Sequence, residues 1–294
     1  MNRDLGLTFA GGGNRAFYQM GLLKRWHQDL LPRTAAVSCC SAGACIIAVY
    51  LSGRDHESLE YWKWRRRDVH SNFQWGNLLR GKNPAPHGPI YRDTLLHALK
   101  DGGLDRIRER PFPVFVLCAR LPPLIPSILM AGLGLAVYIT EKSLKPLMVH
   151  PSITPKFGFR AFAYDARDCE TPQQLANLIM ASSATPPFTP VGRFKGLRLL
   201  DGGLIDNVPA FVCENQMDVE RTLVFMTRPY PPQVLGIKGR RLYLAPIFPI
   251  PVDRWDYTQP HLIERTIRLG EIEADSHQSL LDEFLSPAAA MTIA

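Results

Sequence analysis

The chain has 294 residues, of which 46% are hydrophobic, and a formal net charge of +7. This length and composition can bury a substantial core in one large domain, and we find no internal repeat and no low-complexity tract. The positive charge favours anionic partners, but no helix-turn-helix, zinc-finger or base-stacking pattern is present, so nucleic acid is excluded as the expected partner.

The N-terminal segment combines a short strand with a glycine-rich loop. Residues 5–10 are typical of a buried strand and lead into three consecutive glycines, 11–13, which are followed by Arg15. Apolar residues then recur at helical spacing over 15–31, so the loop amides are expected to point from a helix N-terminus toward an anion. A phosphate and the transient oxyanion of acyl transfer both fit this loop. Ala16 stands where a dinucleotide-binding motif would have its last glycine.

Ser41 is the candidate nucleophile. It lies among small residues between a predicted strand at 34–39 and a predicted helix at 42–53. A nucleophile elbow forces its serine into strained backbone geometry that only small neighbours permit, and Gly43 meets that demand. Cys39 occupies the position of the first glycine in the usual Gly-x-Ser-x-Gly pattern. An ordinary tight strand-to-helix turn is the alternative for this motif taken alone.

Asp201 is the candidate general base. A predicted strand at 197–201 delivers it into a glycine turn formed by Gly202 and Gly203. A carboxylate held within hydrogen-bond reach of a serine can take its proton if its surroundings tune its pKa, so no histidine is required. The alternative is an ordinary Asp-Gly turn.

These motifs, taken in this order, resemble those of the patatin-like phospholipases, which are serine acyl hydrolases. The stretch 181–191 resembles the block that this family carries shortly before its Asp-Gly-Gly turn. The resemblance covers roughly residues 5–55 and 160–212, and its specificity comes from the joint occurrence of independent signals.

The resemblance implies a role for each matching residue. Ser41 would be the nucleophile and Asp201 its base, in a Ser-Asp dyad. Arg15 would hold the loop or bind a lipid phosphate. Cys39 and Ala16 depart from the family pattern, but both are small, so we expect activity to survive. The amides expected to form the oxyanion hole are those of Gly11, Gly12, Gly13, Asn14 and Ala42.

The predicted elements alternate between strand and helix. Further strands are predicted at 112–120 and 222–227 and a further helix at 171–182. We therefore predict an α/β fold with a mainly parallel sheet between two helical layers, as in the patatin-like three-layer α/β/α architecture, in a single domain of residues 1–294. Because ligands bind where the strands of such sheets end, the glycine loop, Ser41 and Asp201 should meet.

The segments outside the motifs carry three further predictions. Proline clusters, including one at 84–89, indicate loops. Residues 258–285 are predicted to form a C-terminal helix that packs on the core and has a solvated face. At 62–67 two tryptophans alternate with four cations. This mixture is found in interfacial helices, but a solvated helix face with both tryptophans packed inward is the slightly preferred interpretation.

An apolar insertion at about 121–157 begins with twenty positions without a charge, 121–140. Residues 128–139 are predicted to be helical and would reach about 18 Å, which is too short to cross a bilayer. Two interpretations stay open. The helix is either buried in the core or dips into one membrane leaflet beside the substrate entrance.

The six cysteines contain no Cys-x-x-Cys pair, so neither a metal site nor a cofactor is predicted. The N-terminus has no basic leader followed by an apolar stretch. We therefore expect reduced, buried thiols in a protein that is cytoplasmic or peripherally bound to a membrane.

The sequence thus predicts a lipid acyl hydrolase of phospholipase or lysophospholipase type. A phospholipid or another lipid ester would be its substrate and an anionic membrane surface its partner. An acyltransferase that uses the same dyad and a catalytically inactive membrane-binding relative are the alternatives. The lipid head group, the acyl position and the oligomeric state cannot be predicted from the sequence.

Overall fold

The computed structural model of the chain describes residues 3–80, 84–123, 125–186 and 188–286, so Pro187 of the stretch 181–191 lies outside it. Its strands are β1 (Leu5–Phe9), β2 (Thr34–Cys40), β3 (Val114–Arg120), β4 (Arg160–Asp165), β5 (Gly192–Phe194), β6 (Leu197–Asp201), β7 (Arg221–Phe225), β8 (Gly236–Lys238) and β9 (Arg241–Leu244). Its α-helices are α1 (Phe17–Leu30), α2 (Ser41–Leu51), α3 (Asp55–Arg66), α4 (Trp75–Leu79), α5 (His87–Leu99), α6 (Gly103–Arg108), α7 (Ser127–Leu144), α8 (Pro172–Ser182), α9 (Gly203–Asp206), α10 (Ala210–Met217) and α11 (Leu262–Leu285).

The described strands form one sheet in the order β5-β6-β3-β2-β1-β7-β9-β8, with β4 paired to β3. The five strands from β3 to β9 in this order run parallel, and antiparallel pairs extend the sheet at both ends. The predicted mainly parallel sheet flanked by helices is therefore confirmed. The five predicted strands are all present, within two residues of their predicted ends.

Alternate residues of the central strands face two different helical layers. Leu5, Leu7 and Phe9 of β1 belong to the large core that also contains residues of α1, α2, α5, α8 and α11. On the opposite face, Gly6 lies against Cys213 of α10. Because side chains alternate across a strand, both faces of this sheet are covered, which explains why β1 is entirely buried.

The strands β2 and β6 meet end to end along the same edge of β3. β4 occupies one edge of β3 along its length from Phe115 to Arg120. On the other edge, β2 runs parallel to β3 and ends with Cys40 opposite Leu117, while β6 runs antiparallel and ends with Asp201 opposite Cys118. The two carboxyl ends therefore converge. β6 thus reaches the same point from the opposite direction, and the predicted meeting of the ends that carry Ser41 and Asp201 does not require both strands to run parallel.

The C-terminal helix packs along α1. Gly21 of α1 and Gly270 of α11 lie where the helices cross, and a Cβ added at either position would overlap a backbone carbonyl of the other helix. Nearby, the Tyr18 hydroxyl donates a 2.7 Å hydrogen bond to the buried Glu273 carboxylate. The two helix backbones are thus in direct contact at the crossing, and the buried hydrogen bond between Tyr18 and Glu273 lies beside it.

The helix of the insertion, α7, is apolar but largely exposed. It has 18 residues and is about 27 Å long, so it is longer than predicted. Among the residues that the structure describes, it is the one helix long and apolar enough to cross a membrane. Met130 and Ala131 pack on the body of the protein, whereas Ile128 is 79% exposed and Leu129 63% exposed. The interpretation of this segment as a buried core helix is therefore wrong.

The basic cluster at 62–67 lies at the end of α3, with Arg67 directly after the helix, and is mostly neutralised. Trp62 is buried but Trp64 is exposed, so only one of the two tryptophans packs inward. Arg66 is fully buried and donates hydrogen bonds to the carbonyl oxygens of Asp256 and Tyr257. Its neighbours on the helix form ion pairs with acidic side chains. The prediction of a solvated face with both tryptophans inside was therefore wrong in part.

All six cysteines are free and buried. Burial raises the pKa of the Cys45, Cys169 and Cys213 thiols to about 12, and it raises those of the other three as well. These thiols are therefore protonated and poorly reactive in the folded protein.

Candidate active site

Ser41 has the strained geometry of a nucleophile elbow. It is the first residue of α2 and has a positive φ of 51° directly after the extended Cys40. Such a value is uncommon for a residue other than glycine and marks backbone strain that the surrounding fold must maintain. The residue is 6% exposed. The serine is thus held in one position at the end of β2.

The neighbours of Ser41 differ in what they contribute. A Cβ added at Gly43 would overlap the carbonyl oxygen of Phe9, so only glycine allows α2 to start this close to β1. Cys39 lies within β2, is completely buried and donates its thiol proton to the carbonyl oxygen of Phe115 at 3.4 Å. The core therefore accommodates a cysteine where glycine is usual in the elbow pattern.

Ser182 links the ends of the two converging strands. Its hydroxyl accepts a 2.8 Å hydrogen bond from the Ser41 amide and donates a 2.6 Å bond to the carbonyl oxygen of Leu117. Its own carbonyl oxygen accepts from the amide of Gly202 at 3.1 Å. Reasoning on the sequence placed Ser182 in a family-like block but assigned it no role. The structure identifies it as a positioning residue for the elbow.

Asp201 lies beside Ser41 and is buried. Burial raises the pKa of the Asp201 carboxyl, while the hydrogen bond with the Ser41 side chain and the positive charge of Arg254 act to lower it. The carboxylate also accepts a 2.7 Å hydrogen bond from the amide of Gly203, which fixes its orientation. A buried carboxylate that contacts a serine hydroxyl can act as a general base.

The glycine loop is less open than predicted. The amide of Gly11 donates to the carbonyl oxygen of Asn207 at 3.1 Å, and that of Asn14 donates to the carbonyl oxygen of Arg254 at 3.0 Å. These two amides are therefore engaged within the protein, and their expected place in an oxyanion hole needs correction. Within the described chain, the amides of Gly12 and Gly13 have no such partner.

Gly13 and Ala42 complete the set of predicted donors. Gly13 has φ +57°, and a Cβ there would overlap the carbonyl oxygen of Arg254, so the loop can pass this point only as glycine. Ala42 lies in the first turn of α2, where amides have no partner inside the helix. The donors that remain open to an oxyanion are thus the amides of Gly12, Gly13 and Ala42.

A cleft runs from Asp201 to the surface along α7. Its lining includes Leu135, Tyr138 and Ile139 of α7 and, from outside this helix, Arg254 and Trp255. Ile139 is 53% exposed. The exposed apolar surface of α7 therefore continues into the cleft that contains the carboxylate.

A smaller, partly aromatic chamber lies next to Ser41. Its walls include Phe17, Trp62, Tyr91 and Tyr257. His87 also lines this chamber, but its Nε2 atom is hydrogen-bonded to the carbonyl oxygen of Trp255 at 2.9 Å. Among the described residues no histidine forms a hydrogen bond with Ser41 or Asp201, so the pair has no third member of that type.

Arg254 is the main residue that reasoning on the sequence missed. It lines the cleft and the chamber, and its charge acts on the Asp201 carboxyl. It lies in a loop with no motif, 53 positions beyond Asp201, so no local signal could have identified it. Arg15, which was predicted, lines a neighbouring pocket together with Arg254.

No group of three or more His, Cys, Asp or Glu side chains that could hold a metal ion occurs in the part of the chain that the structure describes.

The family model for patatin-like phospholipases matches residues 7–213. The chain is also similar to a solved structure, VipD from Legionella pneumophila, with 13% identity and a TM-score of 0.49 over 96% of this chain and 67% of that one. No curated protein sequence matches the chain.

Proposed function

The chain belongs to the patatin-like phospholipase family, and from this premise we propose that it hydrolyses lipid carboxylic esters through an acyl intermediate on Ser41, with Asp201 as the base. The observation that carries the proposal is the meeting of a strained, buried serine at the start of α2 with a buried carboxylate that contacts its hydroxyl. No other serine of the described chain has a positive φ.

In the acylation step, Asp201 takes the proton of the Ser41 hydroxyl while Oγ forms a bond to the ester carbonyl carbon. The amides of Gly12, Gly13 and Ala42 stabilise the resulting oxyanion. The bond to the alcohol then breaks, and the leaving oxygen receives the proton from Asp201. Burial supports this role, because a carboxyl whose pKa is raised is a stronger base than one at the surface.

In the deacylation step, a water molecule replaces the alcohol. It gives a proton to Asp201 and attacks the acyl carbon, and the Ser41 Oγ leaves and recovers the proton. The fatty acid is released and the free enzyme is restored.

We further propose that α7 binds the protein peripherally to an anionic membrane surface and guides the acyl chain into the cleft. Ile128 and Leu129 are exposed near the start of α7, and Leu135 and Ile139 line the entrance to the cleft. The net charge of +7 adds electrostatic attraction to acidic lipids. Because α7 also packs on the body through Met130 and Ala131, we favour a helix lying in the interface over one that crosses the bilayer.

The decisive experiment is labelling with a serine-directed fluorophosphonate, combined with fatty acid release from phospholipid vesicles. We expect Ser41→Ala to abolish both, and Asp201→Asn to lower fatty acid release by at least about a thousandfold. Ser276→Ala, which changes an exposed serine on α11, is the matched control and should behave like the wild type.

Wild-type rates in either the Ser41 or the Asp201 variant would overturn the dyad. A folded wild-type protein that is neither labelled nor active, with or without vesicles, would instead identify a catalytically inactive relative.

A further inference from the structure

A pocket beside the glycine loop gathers cations from separate parts of the chain. Its four charged lining residues are Arg15 after the loop, Lys142 on α7, Arg228 after β7 and Arg254 before α11. No aspartate or glutamate lines it. Four cations in one pocket repel each other, and a bound anion would relieve this repulsion.

These cations form no ion pair within the described protein, although Asp253 acts on Arg15 and Asp201 acts on Arg254 from a greater distance. None of the four lies within ion-pairing distance of a described carboxylate. The Nε atoms of Arg15 and Arg254 are buried and have no hydrogen-bond partner. Burial, together with the repulsion of the neighbouring arginines, lowers the pKa of both Arg15 and Lys142. Unpaired buried donors are costly, so a ligand with several acceptor oxygens would stabilise the pocket.

The pocket offers nothing to a positively charged group. Its two tyrosine rings already face cations of the protein, since Lys142 lies 5.9 Å from the ring centre of Tyr138 and Arg228 lies 4.0 Å from that of Tyr230. A head group that carries an ammonium would therefore meet a protein cation at each of these rings and no carboxylate here.

The pocket adjoins the reaction site. Gly11 lines it, and a Cβ added to Gly11 would lie 3.1 Å from the Ser41 Cβ. Lys142 and Arg254 line both this pocket and the cleft that contains Asp201. A ligand anion bound here would thus be close to an ester placed at Ser41.

We propose that this pocket binds a terminal phosphate of the lipid substrate, so that the enzyme acts on acyl esters whose head group is a phosphate monoester. Such a group is a dianion with three acceptor oxygens and no cation. The inference rests on the proposed hydrolase function and specifies its substrate class.

The test compares three substrates in the same neutral detergent micelles: 1-oleoyl-lysophosphatidate, 1-oleoyl-lysophosphatidylcholine and monooleoylglycerol. For the wild type we expect kcat/KM to be highest for the phosphate monoester, by about tenfold or more. Arg228→Gln and Lys142→Gln should each lower the ratio of kcat/KM for lysophosphatidate to that for monooleoylglycerol by about tenfold. Lys156→Gln removes an exposed charge of the insertion outside the pocket and should leave the ratio unchanged.

Titration of inorganic phosphate into the wild type and into Arg228→Gln, compared with the substrate preference, distinguishes a site for the phosphate of a lipid from a site for free phosphate. Saturable binding that the substitution weakens, together with the substrate preference, supports the proposal. Phosphate binding without any preference for lysophosphatidate would show a free-ion site and overturn it, as would equal kcat/KM values for the three lipids. If no ester is cleaved and Ser41 is not labelled, the proposed hydrolase function fails, and the inference about its substrate fails with it.

Discussion

The C-terminal helix α11 and the insertion helix α7 are the two longest helices of the described chain, and the more apolar of the two is the more exposed. The helix α11 carries charges throughout its length yet packs along α1. The helix α7 is far more apolar yet leaves Ile128 and Leu129 in solvent. Burial therefore follows the fit between surfaces. The apolar surface of α7 that the protein does not cover can contact another apolar environment, which we propose to be the lipid of a membrane.

The largest loss of stability is expected from a substitution at the crossing of α1 and α11. In Gly270→Ala the new Cβ would overlap the Tyr18 carbonyl oxygen, and we expect a loss of about 3 kcal/mol in unfolding free energy despite the better helix propensity of alanine. Chemical denaturation measures this loss. An unchanged midpoint would show that the helices can move apart freely.

The second largest effect concerns the buried glutamate of α7. Burial raises the pKa of Glu141, but hydrogen bonds from Ser152, Lys145 and the Ile153 amide outweigh it and lower the pKa to about 2. Because the folded-state pKa is depressed, the stabilisation is complete above the ordinary value of 4.5 and is lost as the pH falls towards 2. We expect it to amount to about 2 kcal/mol at neutral pH, since Lys145 is half exposed.

Amide hydrogen exchange at pH 7 tests the contribution of the hydrogen bonds to Glu141. In Glu141→Gln, protection of the Ser152 and Ile153 amides should fall, because both donate to the Glu141 carboxylate. The amides of Ile247 and Phe248, which donate to Glu273 on α11, are the internal control. Equal loss of protection at both pairs would mean that the variant is globally unstable.

The third prediction is that membrane binding depends on the exposed side chains of α7 and not on those of α11. Replacing both Ile128 and Leu129 on α7 by serine should weaken binding to anionic vesicles by about tenfold or more, because both side chains would otherwise leave water. The unfolding free energy should change by less than about 0.5 kcal/mol per site. Ile272→Ser on α11, where the side chain is 53% exposed, should change neither quantity. Loss of vesicle binding in that control as well would contradict a specific role of α7.

The smallest expected effect has the opposite sign to that of Gly270→Ala. Nothing lies within 4 Å of a Cβ added at Gly132 on α7. Gly132→Ala should therefore stabilise the protein by about 0.5 to 1 kcal/mol, through helix propensity alone. Destabilisation in the absence of lipid would mean that this face of α7 is covered in solution.

The parts of the site that could be predicted are those in which a short sequence pattern indicates a particular backbone conformation. Three glycines after a strand, or a serine between small residues, report conformations that few other sequences allow. The convergence of Arg15, Lys142, Arg228 and Arg254 could not be predicted in this way. Arg15 was predicted from its place after the glycine loop, but Lys142, Arg228 and Arg254 belong to no motif, and only the folded chain brings the four together.

The elements of the fold could be predicted to a similar extent. The buried central strands were predicted because their apolar runs are continuous, but α5 was missed because the proline cluster at 84–89 indicated a loop. The helix begins at His87, so Pro89 lies in its first turn, where the missing amide hydrogen costs nothing. The direction of β6 could not be predicted from the sequence either, because a short apolar strand has the same side-chain pattern in a parallel and in an antiparallel arrangement.

The burial of all six thiols makes the protein ready for fluorescent labelling without prior removal of its own cysteines. A maleimide dye should react slowly with the native chain and rapidly with a thiol introduced by Ile128→Cys, where the side chain is 79% exposed. The colour and quenching of that dye would then report how deeply the start of α7 enters a bilayer.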